Sequence, residues 1–263
     1  MNNFFDFDGV NSFLMIGQSN MAGRGELNEI AAIDNDLCYM LRMGSWVKMS
    51  EPVNPDRPLE GRFHSGVGLA SSFANELAIH TNSKIGLIPC ADGGTQLLEW
   101  MPGSVLFDHA ICQTMLALRS SVLRGILWHQ GENDCPDDLY PMHGKKLTAI
   151  LNAFRKRLNL YDVPFLLGGL GDFLSNHSTY EWLSNYVNIN ESLKYIASEN
   201  EMTGFVSAEG LSSNPDNLHF SAQSLREFGI RYYNEFKNLE DTNKVFIEKP
   251  DADNAIKTVF EHL

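Results

Sequence analysis

Five short apolar runs, at residues 13–16, 85–89, 126–128, 165–167 and 205–206, recur along the chain with helical patterns between most of them. Strands that alternate with helices point to a parallel sheet with helical crossovers. Among the crossovers, Leu147, Ile150, Leu151, Phe154 and Leu158 repeat at i, i+3, i+4, i+7 and i+11, which draws one apolar stripe along a helix. Leu225, Phe228, Tyr232 and Phe236 repeat in the same way near the end, and residues 67–79 and 105–118 are less regular helical candidates. Residues 48–66 hold three prolines and few apolar side chains, so a long ordered loop is expected there.

At 263 residues the chain can bury its core as a single domain over 1–263, with a body at about 12–236 and an extension at 237–263 that begins as a helix exit. A formal net charge of −13 argues against general affinity for nucleic acid or anionic membrane, since both require clustered Lys and Arg. The longest basic cluster, Arg155-Lys156-Arg157, falls in the helix of the Leu147 stripe and reads as a solvated face. Cys38, Cys90, Cys112 and Cys135 are widely spaced, with no zinc-ligand pattern, and read as buried free thiols. The first residues lack a basic segment followed by a long apolar run, and no stretch reaches the roughly 18 apolar residues of a membrane span. A cytoplasmic protein is the expectation.

Four polar islands follow the apolar runs. In the first, the strand ends at Gly17 and presents Gln18, Ser19 and Asn20, so the Ser19 hydroxyl stands at the crevice of an open sheet, as an attacking group or as an ordinary helix cap. The G-x-S-x-G nucleophile pattern is absent, because Met21 stands at the second glycine position. In the second island, Pro89-Cys-Ala-Asp-Gly-Gly-Thr, the paired glycines let backbone N–H groups face the crevice, and Gly94 can donate to an oxyanion. The third, Trp128-His-Gln-Gly-Glu-Asn-Asp, offers side-chain amides for the same purpose. The fourth, Asn214-Pro-Asp-Asn-Leu-His-Phe-Ser, sets Asp216 three residues before His219 on a turn. A carboxylate so placed can hold one imidazole nitrogen and aim the other at a nucleophile. Gly169-Leu-Gly171 is not a nucleotide loop, since Leu174 stands where the third glycine belongs.

Together the islands resemble those of the SGNH-type (GDSL-like) hydrolases. More narrowly, GQSNMAG, PCADGGT, WHQGEND and DNLHFS resemble the carbohydrate esterase family that includes acetylxylan esterases and sialate O-acetylesterases. The resemblance implies a three-layer α/β/α sandwich around a five-stranded, mainly parallel, flavodoxin-like sheet. It implies Ser19 as nucleophile, His219 as base and then acid, and Asp216 as the orienting carboxylate. The N–H groups of Ser19 and Gly94 would form two sides of the oxyanion hole, with Gln130, or alternatively Asn133, as third donor. Gln18 and Asn20 become contacts to substrate or supports of the site, and Glu132 an anchor for the Ser19 loop or a contact to sugar hydroxyls. Trp100 is expected to stack on a pyranose, Arg62 to meet a carboxylated sugar, and the loop with Arg62 and His64 to border the site. No metal or organic cofactor is implied, and the partner is an acetylated sugar or oligosaccharide. The rival readings are a thioesterase or lipid esterase of the same superfamily, and a non-catalytic sugar-binding protein.

Overall fold

The computed structural model describes residues 9–55 and 64–243. At its centre is strand β1 (Val10–Gly17), buried along its whole length. It pairs in parallel with β4 (Ile85–Pro89) on one side and β5 (Ser121–His129) on the other. Strands β6 (Phe165–Gly168) and β7 (Thr203–Val206) extend the sheet beyond β5, again in parallel. All five strands expected from the apolar runs are present. Both faces of this sheet are covered, which is why the runs are apolar without interruption.

The sheet has seven strands rather than five, in the order β3-β2-β4-β1-β5-β6-β7. The additional pair, β2 (Cys38–Arg42) and β3 (Ser45–Lys48), is an antiparallel hairpin on the β4 edge. Its turn is Met43-Gly44, with φ of 50° and 78° and Arg42 paired to Ser45, the geometry of a two-residue hairpin. Met43 lacks the Asn or Asp that usually announces such a turn, and β3 is largely exposed, so neither chemistry nor hydrophobicity marks it.

Helices α2 (Leu69–Thr81) and α6 (Ala222–Asn243) pack together on one face of the sheet, where Phe13 meets Phe73 and Phe236 edge-on at 4.9 and 5.3 Å. Helices α3 (Val105–Leu118), α4 (His143–Leu158) and α5 (Tyr186–Glu199) pack side by side on the other. There Phe107 lies 4.5 Å from Phe154, and Trp128 lies 5.7 Å from Trp100. The α4 stripe is fully inside, as its spacing requires.

Three sequence expectations change. Helix α6 continues past Lys237 to Asn243. Arg155 is buried and donates to the carbonyls of Glu201 and Met202 and to Thr203 Oγ1, because the loop before β7 would otherwise bury carbonyls without donors. Cys112 is exposed, while Cys38, Cys90 and Cys135 are buried thiols. Among the described residues no helix is long and apolar enough to cross a membrane.

Glu51, between β3 and α2, is held by a buried ion pair. Glu51 accepts from Arg226 of α6, from Ser71 Oγ at 2.8 Å and from the Gly68 N–H at 3.1 Å, and both charged side chains are at least nine-tenths buried. Glu51→Ala leaves the guanidinium buried without its counter-charge and is expected to cost about 3–5 kcal/mol in urea unfolding. Glu227→Ala, which removes the exposed partner of Arg231, is expected to change stability by less than about 1 kcal/mol.

Candidate active site

The site is assembled at the carboxyl ends of β1, β4 and β5. Strand β1 ends at Gly17, whose φ is +130° and where a Cβ would lie 2.0 Å from the His129 carbonyl oxygen, so only glycine permits this approach. The Gln18 N–H then donates to that carbonyl at 2.9 Å, and its own carbonyl accepts the N–H groups of Met21 and Ala22. This closes a single helical turn, α1 (Ser19–Ala22), with Ser19 as its first residue. The cap position belongs to Gln18, which makes no side-chain cap, so Ser19 is not serving as the cap. The N–H of a first-turn residue has no acceptor within its helix, so that of Ser19 is not used by α1.

The fourth island lies directly over Ser19. Asp216 Oδ1 accepts the N–H groups of Leu218 at 2.9 Å and His219 at 3.0 Å, and Oδ2 lies 2.7 Å from His219 Nδ1. The other imidazole nitrogen, Nε2, lies 3.0 Å from Ser19 Oγ. With Asp216 ionised, Nδ1 carries the proton and Nε2 accepts from the serine hydroxyl. Partial burial acts to raise the Asp216 pKa, but the two backbone donors and the His219 ring outweigh it, so the carboxyl is held below its ordinary value.

Asn20 fastens this loop to the third island. Its amide nitrogen donates to Glu132 Oε1 at 2.6 Å and to the Leu218 carbonyl at 3.3 Å, while its oxygen accepts the Phe220 N–H at 3.1 Å. Asn20 and Glu132 are buried, so both support the site and neither meets a sugar hydroxyl. Beneath them His129 Nε2 faces the Gly169 carbonyl at 3.1 Å. Complete burial lowers the His129 pKa against the pull of Glu132, so the ring is neutral.

The second island brings Gly93 beside Ser19, with Gly94 next along the chain. A Cβ on Gly93 would lie 3.6 Å from Ser19 Cβ and 2.6 Å from Arg24 Nη2, so the guanidinium and the serine flank one point of backbone. Arg24 had given no signal in the sequence. Its carbonyl accepts from Asn214 at 2.9 Å, which joins the segment after α1 to the Asp216 loop. Gly94 is exposed, with no atom within 4 Å of where a Cβ would stand, and its carbonyl accepts from Asn133 Nδ2 at 2.7 Å.

Several expected contacts are located elsewhere. Gln130 is fully buried, and its amide nitrogen donates to the Thr95 carbonyl at 3.1 Å and to Asp134 Oδ2 at 2.5 Å. Both of its hydrogens are thus committed, which disqualifies it as an oxyanion donor in this arrangement. Trp100 is also fully buried, with Nε1 on Thr95 Oγ1 at 3.0 Å, and presents no face to a sugar. Gln18 is 2% exposed and acts through its backbone. Arg62 lies outside the described residues, whereas His64 is within them and exposed. Among the described residues no group of three His, Cys, Asp or Glu side chains is placed to hold a metal ion.

The open, mainly parallel α/β sheet with helices packed on both faces is the fold of the SGNH-type hydrolases. The profile of the family described as carbohydrate esterase, sialic acid-specific acetylesterase, matches residues 9–238, and the chain belongs to that family of carboxylic ester hydrolases. A probable carbohydrate esterase of Arabidopsis thaliana is 29% identical over 244 residues, or 83% of this chain and 86% of the relative. The crystal structure of an Arabidopsis thaliana protein is similar at a TM-score of 0.75 and 26% identity, covering 88% of this chain and 98% of that one. NanS shares the fold at a TM-score of 0.70 and 18% identity, over 89% of this chain and 98% of its own. A carbohydrate acetylesterase from Xanthomonas citri does so at 0.64 and 20% identity, over 89% of this chain and 57% of its own.

Because Asn20 holds both the Glu132 and Phe220 segments, Asn20→Ala is expected to destabilise the protein by about 1–3 kcal/mol. Amide exchange at Phe220 should accelerate more than exchange in the β1 core. Equal acceleration throughout would show that the clamp is not local.

Proposed function

We propose that the protein is a serine esterase that removes O-acetyl groups from carbohydrate through an acetyl-enzyme intermediate. The observation that carries this reading is the continuous chain from Ser19 Oγ to His219 Nε2 at 3.0 Å and from His219 Nδ1 to Asp216 Oδ2 at 2.7 Å. His219 takes the hydroxyl proton as Oγ attacks the acetyl carbonyl carbon. The imidazolium, stabilised by Asp216, then returns that proton to the departing sugar oxygen. Water, deprotonated by the same imidazole, attacks the acetyl-enzyme, and acetate leaves with Ser19 reprotonated.

The developing oxyanion is received by the N–H groups of Ser19 and Gly94 and by the side-chain amide of Asn133, which takes the place assigned to Gln130 from sequence. Asn133 reaches the crevice, and with one amide hydrogen on the Gly94 carbonyl it retains a second for the oxyanion. Family membership supports an acetyl ester of a sugar as the substrate. Comparing acetylated xylose, glucose and sialic acid as substrates identifies the sugar, and a preference for octanoyl over acetyl esters would refute a deacetylase.

With nitrophenyl acetate, Ser19→Ala and His219→Ala are each expected to lower kcat by on the order of 10⁴-fold or more, and Asp216→Asn by about 10⁴-fold. Wild-type rates from the Ser19 and His219 variants would overturn the mechanism. Asn133→Ala should lower kcat about 10²–10³-fold with KM little moved, as expected for a donor used chiefly in the transition state.

A further inference from the structure

A second cleft opens at the carboxyl end of the sheet, away from Ser19. It has a volume of about 270 Å³ and lies between α5, the end of β7 and the segments that follow β6 and β7. In a parallel sheet these are carboxyl ends, as is the end of β1 that presents Ser19. Three strand spacings separate β1 from β7, or roughly 14 Å at about 4.8 Å per step. The two places are mechanically joined. Asp172 in the cleft wall precedes Phe173, whose ring packs edge-on at 4.9 Å against Phe220, the residue after His219.

The walls are fixed without any ligand. Arg231 donates to the carbonyls of Ser207 and Glu209 at 3.0 and 2.9 Å, which holds the segment after β7. Asn190 bonds both the N–H and the carbonyl of Leu170, at 2.7 and 3.0 Å, which fixes α5 to the segment after β6. A site whose walls are already immobilised loses little conformational entropy on binding.

Its chemistry suits a polyol. Asp172, Glu191 and Glu209 supply carboxylate acceptors, Lys194 an ammonium donor, and Tyr186 a phenol. Burial, together with the nearby Asp172 charge, raises the Tyr186 pKa, so the phenol remains a donor at neutral pH. Val187, 47% exposed, gives an apolar patch for the C–H face of a ring. Lys194 lies 5.4 Å from the centre of the Phe205 ring, which covers that ring and sets the ammonium at the cleft. The three carboxylates are not grouped as metal ligands. They outnumber the one ammonium, which disfavours an anionic ligand.

We propose that this cleft is a distal subsite for a neutral sugar unit of an oligosaccharide whose acetylated unit lies at Ser19. The inference rests on the reading of the chain as a carbohydrate esterase and deepens it, because a distal subsite makes the substrate an oligomer or polymer rather than a free monosaccharide.

The test is a titration of the full-length protein with unacetylated xylohexaose, followed through backbone amide shifts, with oligosialic acid as an anionic counterpart. Neither probe carries an acetyl ester, so the result is independent of whether Ser19 cleaves one. The expected result is saturable shifts at residues 186–194 and 207–209 with xylohexaose. Tyr186→Ala and Glu191→Ala should each weaken binding at least about fivefold while the amide spectrum elsewhere shows both variants folded, the loss expected from removing a hydrogen bond worth about 1 kcal/mol. Oligosialic acid should bind more weakly. Shifts absent from the cleft, affinity unchanged in both variants, or tighter binding of the anionic chain would each overturn the proposal.

Discussion

The working arrangement depends on the side-chain amide of Asn20. Its three bonds reach Glu132, Leu218 and Phe220, at sequence separations of 112, 198 and 200 residues, and so turn three loops into one rigid body. Helix α1, which carries Asn20, is four residues long, far short of what stands alone in water. It is held instead by these bonds and by the Gln18 N–H on the His129 carbonyl. A buried amide left unpaired here would cost more than the net gain of any one bond, so the loops adopt the single arrangement that satisfies all of its atoms.

The sheet supplies what Asn20 cannot, the height at which the loops meet. From Phe13 onward parallel pairing runs in register to Gly17 opposite His129, and the close approach allowed by Gly17 lets the chain turn immediately beside β5. The third island begins at Trp128 and His129, which pair with Ile16 and Gly17, so the Ser19 loop and the Asn133 loop leave the sheet at one level. In that third island the Glu132 and Asp134 carboxylates are buried. Asp134 stays inside because it accepts from Gln130 and from the Leu97 N–H, although burial still raises its pKa.

Apolar runs located the strands of the doubly covered sheet, because burial on both faces leaves an uninterrupted signature. The β2–β3 hairpin left none, since its outer strand faces solvent and its turn uses Met43. The meeting of Ser19, Asp216 and His219 was legible because it depends on residue type and on position after a strand or within a turn. Gln130 and Trp100 were misassigned for the opposite reason. A motif names a side chain without giving its direction, and here Thr95 draws both inward through its carbonyl and its hydroxyl. Arg24 gave no signal because its place beside Gly93 is reached only once the first and second islands are brought together.

The electrostatics of Asp216 follow from the same economy of placement. Its side chain is 45% exposed, so water would ordinarily set its behaviour, yet it accepts two backbone N–H groups as well as the imidazole. The donors favour the carboxylate more than partial burial opposes it, and the folded pKa falls below the unfolded one. Its contribution to stability is therefore fully present above the unfolded value of about 3.9 and is lost only as pH falls through the lower folded value. The carboxylate thus remains charged throughout the range in which an imidazole changes protonation. The Nδ1 proton then has one acceptor at every such pH, and Nε2 remains the nitrogen that faces Ser19.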